Sequence, residues 1–200
     1  MSNDNRTAVT PKFRMAFPNL ITPGTNLNNE KEWSVTALFP VDADLTSLKK
    51  AERAAKEAKW GKDERKWPAN IASPFTDGNT KGRVDSEGEF QVYEGYADTV
   101  VVSFKRKVAT KRGENTPPAV VMANPNIEAK EEDVYGGRWA KAVVNAFAYE
   151  FAGKKGVSFG LNHVQILDHD TPIGGAPRNA TAYFDNEETG EKTAAKSFLD

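Results

Sequence analysis

Apolar and polar positions alternate in short bursts along most of this chain. In Pro11-Lys-Phe-Arg-Met-Ala-Phe17 the pattern places Phe13, Met15 and Phe17 on one side and Lys12, Arg14 and Ala16 on the other, which is the period of a strand with one buried face. Glu32 to Phe39 repeats it with Trp33, Val35, Ala37 and Phe39, and Pro40 stops the run. Pro18 to Asn29, rich in Pro, Gly, Asn and Thr, reads as the loop between them. Asp98 to Lys107 is a third strand, with Val100, Val102 and Phe104 on one face and Val101, Ser103 and Lys105 on the other. Pro117 to Met122 is a short apolar strand. Trp139 to Phe151 sets Trp139, Val143, Phe147, Tyr149 and Phe151 against a face of Ala140, Ala142, Val144, Ala146 and Ala148. Val157 to Leu167 follows after a turn at Gly153-Lys-Lys-Gly156, and the two form a hairpin.

Helical spacing occurs once. Leu45, Leu48, Ala51, Ala55 and Ala58 share a face from Asp44 to Trp60, Asp44 is the N-terminal cap and Gly61 ends the helix. Residues 61–98 carry turn signals at Trp67-Pro68, Pro74-Phe75, Asp77-Gly78 and Glu87-Gly88, and predict a long irregular excursion with one short strand near Phe90 to Tyr93. Residues 1–9 are polar and read as disordered. From about residue 170 the chain turns Gly, Pro, Asn, Thr and acid rich and reads as a flexible tail, mildly acidic over 176–200. Five or more strands, one helix and no β-α alternation predict a mostly β domain over 10–175, a small, mostly antiparallel barrel or sandwich with the helix and long loop inserted at about 44–98.

Composition narrows the chemistry. The chain has 200 residues, no cysteine and two histidines, which removes disulfides, thiolate nucleophiles and cysteine-based zinc sites. Its apolar runs are too short to span a bilayer, and Met1 to Thr7 has no apolar signal core. Gly156-Val-Ser158-Phe-Gly160 matches the nucleophile pattern of serine hydrolases, but Ser158 begins a strand, no helix follows, and His163 and His169 are too close along the chain to reach it. The glycines read as small residues in a curved barrel strand. Asp168-His169-Asp170 has metal-ligand residue types, but neighbours on an extended chain diverge, so a polar turn is the better reading. Gly153-Lys-Lys-Gly156 lacks the spacing of a phosphate loop. No catalytic residue, metal or cofactor is expected.

Net charge is −1, which taken alone speaks against phosphate binding, yet the charges are segregated. Lys105, Arg106, Lys107, Lys111 and Arg112 lie together with no acid among them, while Glu128 to Asp133 and Asp185 to Glu191 are acidic. Aromatics fall in the irregular regions around this stretch: Trp60, Trp67, Phe75, Tyr93 and Tyr96. Cations tracking a backbone and rings stacking unpaired bases are the two needs of single-strand binding. The phosphate-binding candidates are therefore Arg14, Lys105, Arg106, Lys107, Lys111 and Arg112, and the stacking candidates Trp67, Phe75, Tyr93 and Tyr96. For each ring the competing role is core packing.

Tyr135-Gly-Gly-Arg-Trp139, Val143-Val-Asn-Ala-Phe-Ala-Tyr149, Lys155 to Gln165 and Gly174-Gly175 resemble the C-terminal half of a bacteriophage single-stranded-DNA-binding protein family, and Asn70 to Gly78 and Phe13 to Phe17 resemble its central loop and its opening. Its members are OB folds, distantly similar to the helix-destabilising protein of short-tailed phages. The resemblance implies an OB-fold-type barrel that binds single-stranded DNA without strong sequence preference, carries no catalytic centre and works in replication or recombination in the cytoplasm of the infected host. Related phage proteins often end in an acidic tail with a terminal aromatic that docks on replication proteins. Here Lys192 and Lys196 dilute the acids, and Phe198 stands near the end, not at it. The rival readings are a β-type virion structural or assembly protein, and a nuclease, which needs clustered carboxylates that this chain spreads out. The sequence sets no oligomeric state.

Overall fold

The computed structural model describes residues 5–174; the expected tail, 176–200, lies outside the described residues. In chain order the elements are β1 (Thr7–Val9), β2 (Phe13–Thr25), β3 (Lys31–Pro40), α1 (Thr46–Trp60), β4 (Thr76–Asp77), β5 (Gly82–Val84), β6 (Phe90–Val92), β7 (Thr99–Lys107), β8 (Ala109–Thr110), β9 (Gly113–Glu114), β10 (Ala119–Val121), β11 (Trp139–Phe151) and β12 (Lys154–Ile166). β2, β3, β7, β12 and β11 pair in that order, and β11 pairs back onto β2 through Trp139–Arg14 and Ala140–Phe13. The sheet therefore closes into a five-stranded barrel, the OB-fold arrangement, with no open edge around that circuit. The β12–β7 and β12–β10 pairings are parallel, the exceptions to the mostly antiparallel order that the sequence predicts.

The core is the inner face of the barrel. Phe13, Phe39, Phe104 and Phe159 are fully buried, and their rings meet edge to face with centroids 5.4 to 6.4 Å apart, a geometry worth about 0.5–1.5 kcal/mol per pair beyond area burial. β11 turns its alanine side inward, as Ala140, Ala142, Val144 and Ala146 are buried. Small residues are needed there because α1 packs its Leu48, Ala51 and Ala55 stripe into the same core beside β11. The Asp44 carboxylate accepts the Thr46 N–H at 2.9 Å at the helix start, and Gly61, at φ 88°, closes the helix end.

Four expectations are corrected. The segment 1–9 is not wholly without structure: Thr7–Val9 pairs with Val143–Asn145 and buries Ala8. Pro18 to Thr25 is not a loop but a continuation of β2 through irregular register. The hairpin turn is Ala152-Gly153, both at positive φ, so Lys154 and Lys155 already belong to β12; two left-handed residues match the twist of the flanking strands. Residues 168–174 are strapped to the body. Asp168 pairs with Lys12, Asp170 lies 3.3 Å from Arg14 and accepts the Trp139 indole N–H at 2.8 Å, and the Ile173 N–H bonds the Gly136 carbonyl. His169 meets the Tyr135 hydroxyl instead, so the three ligand-type side chains do diverge. Among the described residues no group of three His, Cys, Asp or Glu could hold a metal, and no helix is long and apolar enough to cross a membrane.

Candidate nucleic-acid interface

On β3 and β7 the pairs facing out of the barrel are Glu32–Lys107, Ser34–Lys105, Thr36–Ser103 and Leu38–Val101. Directly opposed residues share a face, so this surface changes from charged to polar to apolar along its length. The apolar end is covered. Ala16, Leu38, Tyr96 and Val101 form a second buried cluster with Ile173 of the strap packed against it. Gly78 sits so close beneath the Tyr96 carbonyl that a Cβ there would overlap backbone. The polar end, Ser34, Thr36, Ser103 and Lys105, is half or fully exposed.

Phe17 stands beside this open end. Ala16 pairs with Thr36 and Asn19 with Ser34, so β2 has one residue more than β3 over the same span. That bulge puts Phe17 at φ 47° and turns its ring outward, 64% exposed. This corrects the expected alternation, in which Phe17 followed Phe13 and Met15 inward. A non-glycine residue in the left-handed region carries strain that the surrounding structure must hold, and such strain concentrates at binding sites. Phe17 borders a cleft of about 350 Å³ whose other walls are Arg83, Gln91, Val92, Tyr93, Glu94, Tyr96, Ile173 and Gly174. Arg83 pairs with Gln91 on the β5–β6 hairpin, and Tyr93, 42% exposed, meets Tyr96 edge to face at 5.7 Å.

The sequence candidates fall into three groups. Lys105 and Lys107 are on the open outer face, but each is met by a carboxylate: Glu32 at 3.3 Å from Lys105 and Glu30 at 2.7 Å from Lys107. Asn26 donates to both carboxylates. The hydrogen bonds from Lys107 and then Asn26 hold Glu30 below the usual carboxylate range. Lys111 and Arg112 are exposed in the turn joining β8 and β9. Arg14 and Arg106 are structural donors in this geometry. Arg14 bonds the Gly137 and Thr171 carbonyls and anchors the strap, and Arg106, inward beside Trp33, bonds the carbonyls of Thr116 and Leu161.

Among the candidate rings, Tyr93 alone borders the open cleft as a free surface. Tyr96 is buried, and burial pushes its phenol up, so it cannot offer a face for stacking. Phe75 meets Phe159 at 6.1 Å and packs against the core. The chain on either side of it fills a gap between two strands: Ala72 pairs beside Gly156 of β12 while Thr76–Asp77 pairs with Val100–Val101 of β7. Trp67 is held at the end of α1, its indole N–H bonding the Gly61 carbonyl at 2.7 Å with Lys56 over its ring.

A family model described as "Enterobacter phage Enc34, ssDNA-binding protein" matches residues 6–194. The chain belongs to this family. No curated protein matches it. Solved structures of similar fold include the single-stranded DNA-binding protein from bacteriophage Enc34, with TM-score 0.62, 20% identity and coverage of 90% of each chain. The same Enc34 protein in complex with ssDNA matches with TM-score 0.60 and 20% identity over 84% of this chain and 90% of that one. The gp2.5 single-stranded DNA binding protein encoded by bacteriophage T7 matches with TM-score 0.58 and 16% identity over 92% and 96%. The fold of the Enc34 family is thus the barrel described above.

Among the members of this surface that sequence reasoning missed are Phe17, Arg83, Gln91 and the hydroxyls of Ser34, Thr36 and Ser103. The periodic pattern of β2 assigned Phe17 to the core, and only the crowding of Pro18, Asn19 and Pro23 behind it signalled that the pairing would slip. Arg83 lay in a segment without periodicity, where no local signal marks which side chain will face the barrel.

Proposed function

We propose that this member of the Enc34 family binds single-stranded DNA, largely without sequence preference, on the open half of the outer β3–β7 face, and coats single strands during phage DNA replication or recombination in the host cytoplasm. It acts by binding and carries no catalytic centre. The observation that carries the reading is the juxtaposition of a strained, outward Phe17 and an exposed Tyr93 with a polar strip of Ser34, Thr36, Ser103 and Lys105. The rings supply faces for unpaired bases, at roughly 1–3 kcal/mol per base. The hydroxyls and Lys105 lie where a sugar-phosphate backbone would pass, and Lys107, Lys111 and Arg112 extend the cationic track along β7 into the β8–β9 hairpin. In OB folds the corresponding strands and the loops that flank them are the usual oligonucleotide surface. That the family and the similar phage structures carry single-strand binding in their descriptions supports the same reading.

Phosphate has a competitor already in place. Lys105 and Lys107 must exchange Glu32 and Glu30 for DNA, so binding is modest at each cation and strongly screened by salt. Fluorescence anisotropy with labelled oligo-dT tests the proposal. Binding is expected at low salt, with log affinity falling against log salt by roughly 0.7 per phosphate contacted. A virion structural protein would ignore the oligonucleotide at every salt concentration, and that result ends the proposal.

A further inference from the structure

The outward side of the β11–β12 hairpin carries a row of rings that the barrel core does not use. Asn145, Phe147, Tyr149 and Phe151 face out, opposite Gly160, Ser158, Gly156 and Lys154. Phe147 is 43% exposed and Phe151 80%. The Tyr149 phenol closes over Gly156: a Cβ on that glycine would come within 2.7 Å of the ring. The glycine therefore makes room for the phenol, which covers it and stays half-exposed. Gly160 does the same for the Asn145 amide, which a Cβ would strike at 2.7 Å. The Gly-x-Ser-x-Gly pattern is thus a paving of small residues beneath a ring and an amide, on a strand whose opposite side fills the core with Val157, Phe159 and Leu161. Single exposed apolar residues are ordinary on a protein surface, but three rings in line on one face are not.

This row joins the surface already described. Lys105 is paired with Ser34 on one side and Gly160 on the other, and Gly160 with Asn145. A continuous outward strip therefore runs Ser34, Lys105, Gly160, Asn145 across four strands, a width of roughly 14 Å at the usual strand spacing. It then turns along β11 past Phe147 and Tyr149 to Phe151, roughly 20 Å further at the usual rise per residue. Lys154 stands exposed opposite Phe151, at the far end.

We infer that the Phe147–Tyr149–Phe151 row is a second base-stacking station, placed in series with the Phe17–Tyr93 cleft, so that one DNA strand crosses the Lys105 strip and lays further bases along the hairpin. The inference rests on the proposal that this protein binds single-stranded DNA. A nucleic acid suits the row better than a protein partner because the row is continuous with the candidate interface, ends on a cation, and is floored by glycines and a serine that let a backbone approach closely. The station fixes the reach of the site: short oligonucleotides are satisfied by the cleft, and longer ones gain from the hairpin.

The experiment is a length series, dT5 to dT20, titrated against the full chain and the Phe147→Ala/Phe151→Ala double variant, with Phe151→Trp as a reporter. The double variant is expected to bind dT5 like the parent and dT20 about tenfold more weakly, in keeping with the stacking lost. The added indole emission of the Phe151→Trp reporter, taken as the difference from the parent, is expected to be quenched by dT20 and not by dT5. Both changes are at exposed positions, and an unchanged melting temperature confirms that the variant is folded. Equal dT20 affinity of parent and double variant, with no quenching in the reporter, overturns the second station while leaving the main proposal standing. Loss of self-association in the double variant with unaltered dT20 binding assigns the row to a protein contact and overturns it too. Failure of the parent to bind any oligonucleotide at low salt removes the proposal beneath it.

Discussion

Two halves of one barrel face have opposite fates. Both are made by the same strands, β3 and β7, and they are neighbours. At Leu38–Val101 the outward pair is apolar, and the chain spends its long excursion between α1 and β7, together with the strap 168–174, on covering it. One step along, at Thr36–Ser103 and Ser34–Lys105, the outward pairs are hydroxyls and a lysine, and the cover stops. Tyr93 and Tyr96 mark the boundary. Three residues apart and in ring contact, one is exposed at the edge of the open half and the other buried in the covered half. The difference teaches that the excursion is both roof and wall: its inner residues seal a second small core, and that sealing rigidly positions its outer residues around the cleft.

The sharpest way to break the comparison is to remove each tyrosine in turn. Tyr96→Ala deletes a buried ring packed edge to face on Tyr93, and is expected to cost about 3–5 kcal/mol of stability, as large aromatic truncations in cores do. Chemical denaturation monitored by circular dichroism measures it. Tyr93→Ala, at an exposed position, should leave stability within about 0.5 kcal/mol and weaken oligo-dT binding by about tenfold through lost stacking. Equal stability losses for the two variants would show that roof and wall are not distinct.

Phe17 sharpens the same contrast from the β2 side. Phe17→Gly relieves the positive φ and removes the ring at once. Stability is expected to hold or rise, and oligo-dT affinity to fall several-fold, a combination that a core residue never gives. A stability loss of the size expected for Tyr96→Ala would mean that Phe17 packs inward in solution, and anisotropy and denaturation on one preparation decide it.

How far the sequence foretold this follows the reach of each signal. The barrel strands, the helix and the hairpin were legible because each buries one regular face: Val35, Ala37 and Phe39 alternate, and Leu48, Ala51 and Ala55 recur at helical spacing. Phe17 was misplaced because a bulge inserts one residue and reverses everything after it, and periodicity carries no marker for a slip of one. Phe75 and Tyr96 were assigned to stacking because irregular segments give no inside or outside. Their burial depends on which distant strand the loop crosses. The basic run was visible as charge, but its partners Glu30 and Glu32 lie across a strand pairing some 75 residues away, and Arg14 and Arg106 are spent on backbone carbonyls that only the closed barrel brings within reach.

The Glu30 and Glu32 carboxylates allow a smaller test in the opposite direction, a gain of affinity. Glu30→Gln removes the charge opposite Lys107 and keeps the shape that Asn26 contacts. The pair is exposed, and exposed pairs contribute little, so the effect on folding is expected to be slight. The freed Lys107 should raise oligo-dT affinity about two- to threefold at low salt, a gain that vanishes by about 0.5 M salt as screening removes the contribution of the cation. An unchanged affinity at low salt would place Lys107 off the path of the DNA.

The smallest expected effect is on the rim of the roof, and acid is the tool. Lys12 holds the Asp168 carboxyl below the usual range, and the Thr171 N–H, then the Trp139 indole, do the same for Asp170. A carboxylate whose folded pKa is depressed stabilises fully above its unfolded value of about 3.9, and that contribution is lost as pH falls through the folded value. The strap therefore stays docked at neutral pH and loosens below about pH 4, before the barrel core, whose apolar contacts do not titrate. Ile173 and Gly174 line the cleft, so loosening removes one of its walls while the Ser34–Lys105 strip keeps its shape. Hydrogen exchange at the Ile173 amide, which bonds Gly136, reads the step directly. Protection there should fall as the pH drops below about 4, after correction for intrinsic exchange, while the β3 and β7 amides hold theirs. Asp170→Asn should already lower protection at about pH 6, where the native carboxylate is fully charged. Should Ile173 and the barrel amides lose protection together, the strap unfolds only with the barrel, and roof and open face form a single cooperative unit.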